Sequence, residues 1–195
     1  VTACRGKVRI SADGGESWQD AEQKDLGMSS MCLWLARQPA WGHVVLLGAQ
    51  GKLGLLDAHG KLNWMDTGHK RTWRSAAMRG DELLLVGDGG ARGVLRHQGG
   101  SFKYQALGRV GAAFVAVGTQ GKKLVYRADN EARLDISRDG GLSWTSASAP
   151  KACRQLQFVD DKRAFALAGT GVVLFSADAG ATWKELARWD GQFMK

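Results

Sequence analysis

The chain has 195 residues, with 27 glycines, 2 prolines and 27 Lys plus Arg against 19 Asp plus Glu, which gives a formal net charge of +8. Glycine follows no three-residue period and proline is scarce, so collagen and proline-rich disorder are excluded. The longest apolar stretches, such as 44–49 and 112–117, fall far short of the roughly 20 residues of a membrane-spanning helix. We therefore expect one folded domain over residues 1–195 and no transmembrane segment.

Short alternating apolar segments along the whole chain predict β-strands with one buried face. The N-terminus supplies three of them, at 1–4, 7–11 and 16–19. Four groups of four predicted strands follow in chain order: 32–36, 43–48, 53–56 and 61–65; 74–78, 82–86, 93–96 and 101–105; 111–117, 123–127, 133–137 and 142–145; 154–159, 163–169, 172–176 and 182–187. The sequence therefore predicts an all-β fold built from four-stranded antiparallel sheets.

A motif of the form S-x-D-x-G-x-[ST]-W occurs three times, at 11–18, 137–144 and 176–183, each time after a predicted strand. Its Asp can accept hydrogen bonds from backbone N–H groups, its glycine permits a positive φ, and its Trp can begin the return strand as a packing anchor. We interpret the motif as a hairpin turn with structural Asp and Trp residues, namely Asp13, Trp18, Asp139, Trp144, Asp178 and Trp183.

The tryptophans give the length of the repeat, because Trp144 and Trp183 are 39 residues apart and Trp18 precedes Trp144 by about three such intervals. Two repeats with altered turns fit between them, ending near Trp64 and Tyr104. Repeats of this length are typical of four-stranded propeller blades. Since 192–194 is similar to the inner-strand segment 157–159, we predict five blades, with the ring closed by pairing of the N- and C-terminal strands. An open fragment of a larger ring is the alternative.

These turn motifs resemble the Asp-box, or BNR, repeat of sialidases, sortilin-type receptors and propellers similar to the photosystem II stability and assembly factor. The last group is the most similar in style, since 165–183 reads as a strand, a glycine, a second strand and the motif. The resemblance covers essentially the whole chain and implies an Asp-box β-propeller, although family members usually have six or seven blades. It also implies a periplasmic or extracellular location.

A sialidase-type enzyme would be implied to carry an arginine triad, a Tyr nucleophile, an acid/base Asp and a Phe/Tyr-Arg-Ile-Pro segment. That segment is missing from the sequence, and the two tyrosines, Tyr104 and Tyr126, fall on an altered turn and a predicted second strand. Acidic residues cluster in predicted turns: Asp13, Asp139, Asp160, Asp161 and Asp178. The sequence therefore favours a non-catalytic binding or assembly module, with a glycan-binding or glycoside-hydrolysing propeller as the alternative.

The segments that join one blade to the next are rich in cations and indoles, and in a propeller they surround one mouth of the channel. We name these residues the basic rim: Arg71, Trp73, Arg74, Arg109, Arg154, Arg188 and Trp189. Guanidinium groups bind carboxylates or phosphates and stack on indoles. We expect the rim to bind a protein partner with an acidic surface, or another anionic ligand; solvated channel-lining charges are the alternative. Nucleic acid is disfavoured, because only two indoles lie among these cations.

Cysteine and histidine spacing points to no metal site. Cys4, Cys32 and Cys153 are odd in number and form no C-x-x-C pair, so neither a zinc site nor a redox pair is predicted. The histidines lack metal-binding spacing, and the sequence contains no phosphate loop or nucleophile elbow. We expect no cofactor, and we expect the cysteines to be small buried strand residues.

Overall fold

The computed structural model describes residues 2–4, 7–20, 34–38, 41–109, 114–120, 124–129, 133–139, 143–148, 153–160, 162–168 and 171–189. Regular structure in these ranges consists of β-strands and two short 3-10 turns, Ala49–Gly51 and Asp88–Gly90. Across the described ranges there is no helix with the length and apolar character needed to span a bilayer.

The strands form five antiparallel sheets, numbered here in chain order, in which consecutive strands are neighbours. Sheet 1 contains β1 (Thr2–Cys4), β2 (Lys7–Ile10) and β3 (Gln19–Asp20). Sheet 2 contains β4 (Trp34–Gln38), β5 (His43–Leu47), β6 (Lys52–Leu56) and β7 (Leu62–Asp66). Sheet 3 contains β8 (Trp73–Arg79), β9 (Glu82–Gly87), β10 (Ala91–Gln98) and β11 (Ser101–Arg109). Sheet 4 contains β12 (Phe114–Gln120), β13 (Leu124–Asp129), β14 (Arg133–Ser137) and β15 (Thr145–Ser148). Sheet 5 contains β16 (Cys153–Phe158), β17 (Ala164–Ala168), β18 (Val172–Ser176) and β19 (Lys184–Arg188).

The predicted all-β class with antiparallel sheets is confirmed. The strand bounds differ from the prediction after the repeated motif, where β3, β15 and β19 begin one residue beyond the motif's Trp. The expectation that this Trp begins the return strand is therefore wrong. The motif forms a longer loop than a tight hairpin turn, and its Trp closes that loop before strand pairing resumes.

The altered repeat near Trp64 has a shorter turn than the motif. Backbone N–H groups of His59 and Lys61 each donate to Asp57 Oδ1 at 2.9 Å, and the hairpin closes within residues 57–61. Trp64 consequently lies within β7, directly opposite Gly54 of β6. It packs over this strand glycine and does not occupy the motif's Trp position, contrary to the interpretation from sequence spacing.

The altered repeat near Tyr104 also combines a short turn with an aromatic ring packed over a strand glycine. Gly99 and Gly100 form a two-residue turn with φ values of +57° and +76°, which L-residues rarely adopt. Tyr104 lies within β11, and a Cβ added to Gly93 of the neighbouring strand would lie 2.4 Å from the Tyr104 ring. An aromatic ring over a strand glycine therefore takes the place of the motif's Trp in both altered repeats.

The chain groups into two compact units, Val1–Arg74 and Ser75–Lys195. One described core cluster of the first unit contains Val8, Leu46, Leu56 and Leu62. The largest described core of the second contains Leu134, Ile136, Cys153, Leu156, Phe158, Ala164 and Ala166. Burial raises the pKa of the Cys153 thiol to about 11, so this cysteine is an unreactive core residue. The single-domain organisation stays a prediction.

Some sequence-based predictions fall outside the described residues. The proposed inner strand 192–194 lies beyond residue 189, and Cys32 lies within the undescribed range 21–33. Among the described strands, β1 lies at the edge of sheet 1 and pairs with β2. Closure of the ring by pairing of the terminal strands therefore stays a prediction.

Candidate functional site

The Asp of the repeated turn is engaged by hydrogen bonds within its own turn. In the 176–183 copy, Ser176 Oγ donates to Asp178 at 2.8 Å, and the backbone N–H and hydroxyl of Thr182 donate at 2.8 and 2.5 Å. The copies at 11–18 and 137–144 make the equivalent bonds to Asp13 and Asp139. These donors, the hydroxyl first, hold the pKa of Asp178 at about 2 and that of Asp13 well below its usual range. Such carboxylates stay ionised near neutral pH and cannot act there as proton donors.

Sheet 2 has a different arrangement at the end that lies opposite its 57–61 turn. There the loop between β5 and β6 is hydrogen-bonded to the segment that follows β7. The backbone N–H and the hydroxyl of Thr67 donate to the Gly51 carbonyl at 3.1 and 2.7 Å, and Gly51 N–H donates to the Arg71 carbonyl at 2.7 Å. Gly51 has a φ of +76°, and an added Cβ would lie 1.8 Å from the His69 carbonyl oxygen. Only glycine fits here, and it fixes the path of residues 67–71.

These two segments enclose a cleft of about 460 Å³ at the end of sheet 2. Its lining residues are Gln50, Lys52, Asp66, Gly68, His69 and Lys70. Trp73 packs against His69, a lining residue of the cleft, with 5.1 Å between the two ring centroids. The backbone N–H of Trp73 donates to the Gly48 carbonyl at 3.2 Å. The cleft is thus built on a hydrogen-bonded loop and a buried aromatic ring.

The charges of the cleft divide into a paired and an unpaired set. Lys52 and Asp66 face each other across β6 and β7 and form a 2.5 Å ion pair. The pKa of Asp66 is lowered, chiefly by the hydrogen bond from Lys52 and next by the Gly68 N–H at 2.8 Å. The exposed side chains of Lys70 and Arg71 make no ion pair or hydrogen bond with any other described residue. The net charge of the cleft is therefore positive.

Trp73 is placed differently from what its position among rim cations predicts. Its side chain is fully buried, with 0 % of its surface exposed. It begins β8, and its side chain points into the core because strand side chains alternate between the two faces. Trp73 is therefore a support for His69 and cannot stack on a ligand.

Arg188 and Trp189 lie at the end of sheet 5. Arg188 forms a double hydrogen bond with Glu185 at 3.0 and 2.6 Å, which raises the pKa of the guanidinium. The backbone N–H of Trp189 donates to the Gly171 carbonyl at 2.9 Å, and 55 % of the Trp189 surface is exposed. This end of sheet 5 therefore offers an indole to solvent, whereas its arginine is already paired.

The remaining predicted rim arginines belong to different strands. Arg109 ends β11, is exposed, and donates from Nε to the Gly89 carbonyl at 3.0 Å. Arg74 is half-buried in β8. Arg154 lies in β16, and its side chain is outside the described part of the structure. Within the first unit, the structure thus brings Arg71 beside the cleft, and within the second, Arg109 and Arg188 are each bonded to their own sheet.

Sequence reasoning missed the residues that shape the cleft, namely Gln50, Lys52 and Asp66. One signal for them was available, because aligning the strands on either side of the 57–61 turn places Lys52 opposite Asp66. The close approach of Gly51 to residue 69 carries no such signal, since it depends on a tertiary contact between two loops. Among the described residues, no group of three or more His, Cys, Asp or Glu could hold a metal ion.

Comparisons with solved structures find similar chains. No protein-family model matches the chain. No curated protein matches it either. A solved structure described as YCF48 bound to D1 peptide is similar, with a TM-score of 0.49 and 19% sequence identity. The match covers 58% of this chain and 40% of that one, so this chain spans well under two thirds of the length of the similar structure.

Proposed function

We propose that the protein is a non-catalytic binding module that takes an acidic segment of a partner protein at the cleft of sheet 2. The observation that carries this proposal is the pair of adjacent, exposed cations Lys70 and Arg71, which lack a partner among the described residues, beside a cleft of about 460 Å³. Adjacent like charges repel each other, and an anionic group docked between them relieves that repulsion.

The chemistry of the two cations supports a carboxylate-bearing ligand. A guanidinium binds a carboxylate through two parallel hydrogen bonds, and an ammonium adds a compact charge beside it. Lys52 is held by Asp66, so it fixes the shape of the cleft and leaves ligand recognition to Lys70 and Arg71. Because both cations are exposed to solvent, they contribute more to the association rate and its salt dependence than to affinity.

For the whole chain, we propose a five-bladed Asp-box propeller in which each sheet is one blade. It rests on the resemblance of the three turn motifs and on the shared hydrogen bonds of their Asp residues. In that arrangement the cleft belongs to a longer basic rim together with Arg74, Arg109, Arg154, Arg188 and Trp189. The partner is then a protein with an acidic surface.

The proposal is tested by titrating a fluorescein-labelled, glutamate-rich peptide into the protein at several salt concentrations. Replacing Lys70 and Arg71 together by Gln should weaken binding roughly tenfold, since each exposed charge pair contributes about 0.2–1 kcal/mol. The same change should flatten the salt dependence. Stability should stay the same, because neither side chain has a partner to lose.

The matched control replaces Lys61 and Lys162 by Gln, two exposed lysines in turns at the other end of their sheets. Its affinity should stay within about twofold of the original. Equal losses in both double variants would mean that net charge alone attracts the peptide, and the cleft would be rejected as the site. Absence of peptide binding together with hydrolysis of a sialoside reporter would favour the glycan-directed alternative.

A further inference from the structure

The loop between β5 and β6, which forms one side of the cleft, has a close counterpart in sheet 3. Residues 49–51 of this loop and residues 88–90 between β9 and β10 both form three-residue 3-10 turns. The middle residue of each turn lies in the left-handed region, with φ and ψ of 52° and 32° in sheet 2 and of 63° and 30° in sheet 3. A glycine with positive φ follows in both turns, Gly51 and Gly90. The two sheets therefore share one turn conformation at this place.

The middle residue of this turn differs between the two sheets. Sheet 3 has Gly89 there, whereas sheet 2 has Gln50. The left-handed conformation is unfavourable for a residue with a Cβ, and Asn and Asp are tolerated because their short side chains bond the nearby backbone. Gln50 makes no such bond, since its side-chain amide has no hydrogen-bond partner among the described residues. Sheet 2 thus holds an unfavourable residue for which the turn itself gives no compensation.

The side chain of Gln50 lies where it can meet a ligand. Gln50 lines the cleft together with Lys70, which belongs to the segment that follows β7. In sheet 3 the corresponding turn is engaged by its own sheet, because the Gly89 carbonyl accepts a 3.0 Å hydrogen bond from Arg109 Nε. A side chain held in an unfavourable backbone conformation beside a cleft indicates that the side chain is used there.

The chemistry of the amide indicates which part of a ligand it meets. Lys70 and Arg71 carry donors only, so they suit carboxylates and other anionic groups alike. The amide of Gln50 carries both donors and an acceptor, and a carboxylate has no donor for that acceptor. A main-chain peptide group has one donor and one acceptor, so it can pair with both parts of the amide. Gln50 is therefore suited to the backbone of a peptide, and the two cations to its acidic side chains.

We propose that Gln50 binds a main-chain peptide group of the acidic segment and makes the cleft selective for peptides among anionic ligands. This inference rests on the proposed function, because it concerns the same cleft. The cations attract the acidic side chains, and the amide recognises the backbone that carries them. Recognition by Gln50 then compensates for the unfavourable conformation that Gly89 avoids in sheet 3.

The test compares Gln50→Ala with Gln50→Gly in ligand binding and in stability. Both variants lose the amide, so each should bind the fluorescein-labelled, glutamate-rich peptide about fivefold more weakly than the wild type. Binding of labelled polyacrylate, which carries carboxylates on a hydrocarbon chain, should stay within about twofold, since the cations alone hold it. Gln50→Gly also removes the Cβ, so it alone should raise the midpoint of thermal unfolding, by about 2 °C.

The matched control is Gln98→Ala, which removes an exposed glutamine amide at the end of β10, away from the cleft. Its affinity for the peptide should equal that of the wild-type protein. A wild-type protein that does not bind the peptide would reject the proposed function and this inference together. Peptide binding that is unchanged in Gln50→Ala, or equal losses for the peptide and polyacrylate, would reject this inference alone.

Discussion

The turns at 11–18 and 176–183 have the same internal chemistry and different surroundings. In both, an Asp accepts bonds from two hydroxyl groups and a backbone N–H, and an indole covers a glycine. The second packs on a neighbouring sheet through Gly180 and Trp183, whereas 43 % of Trp18 in the first is exposed. Comparing the two turns therefore separates the stability provided by the motif's own hydrogen bonds from the stability added by packing on a neighbouring sheet.

Replacing the tryptophan tests the contribution of the neighbour. Trp183→Ala should lower the free energy of unfolding by about 3 kcal/mol, at the lower end for a truncated aromatic because the ring is only half-buried. Trp18→Ala should cost less, about 1 kcal/mol, because 43 % of this side chain is exposed to solvent. Urea denaturation at low protein concentration measures both values. Equal losses would mean that the two rings are equally covered, and the contrast between the turns would be lost.

Substituting the turn glycines separates steric contact from backbone strain. Gly15 and Gly180 both have positive φ, +106° and +87°, so an alanine at either position should cost about 1 kcal/mol in backbone strain. Gly180→Ala should cost about 1 kcal/mol more, because its Cβ meets Leu134 in a packed core. Thermal melts of the two variants give the comparison. A Gly15→Ala protein as unstable as Gly180→Ala would show that strain alone matters.

Acidification should affect the two turns alike, because their hydrogen bonds are the same. The pKa of Asp178 is about 2 in the folded protein against an ordinary value of 3.8, chiefly because of the Thr182 hydroxyl. A lowered folded-state pKa gives stability that is present above about pH 4 and lost as the pH falls toward about 2. Asp13→Asn and Asp178→Asn should each reduce this acid-dependent loss, as followed by melting temperature against pH. An unchanged pH profile in both variants would contradict the assignment.

The turns could be predicted because their chemistry is local. Asp178 reaches donors only four residues away, so the spacing of Asp, Gly and Thr in the sequence is enough to define the loop. Strand alternation was equally local, and it placed each of the four-stranded sheets close to its observed position. The position of Trp64 was missed because a short turn and a glycine in the neighbouring strand can replace the motif.

The candidate site was less predictable, because it depends on contacts between loops. The run His69-Lys70-Arg71 indicated a basic segment, but only the packing of Gly51 against residues 67–71 makes a cleft beside it. Burial of Trp73 depends on which face of β8 points to the core, and charge runs carry no information about that. Pairing of Arg188 with Glu185 likewise removes a cation that sequence alone counts as available.

The central claim is that an acidic ligand binds at the cleft of sheet 2. The most direct measurement is a titration of ¹⁵N-labelled protein with a glutamate-rich peptide, followed by the chemical shifts of backbone amides. The amides of Gly51, Gly68 and Arg71 should move most, since they lie in the two segments that form the cleft, while those of the 176–183 turn should stay in place. Shifts confined to that turn, or spread evenly over exposed lysines, would contradict the account.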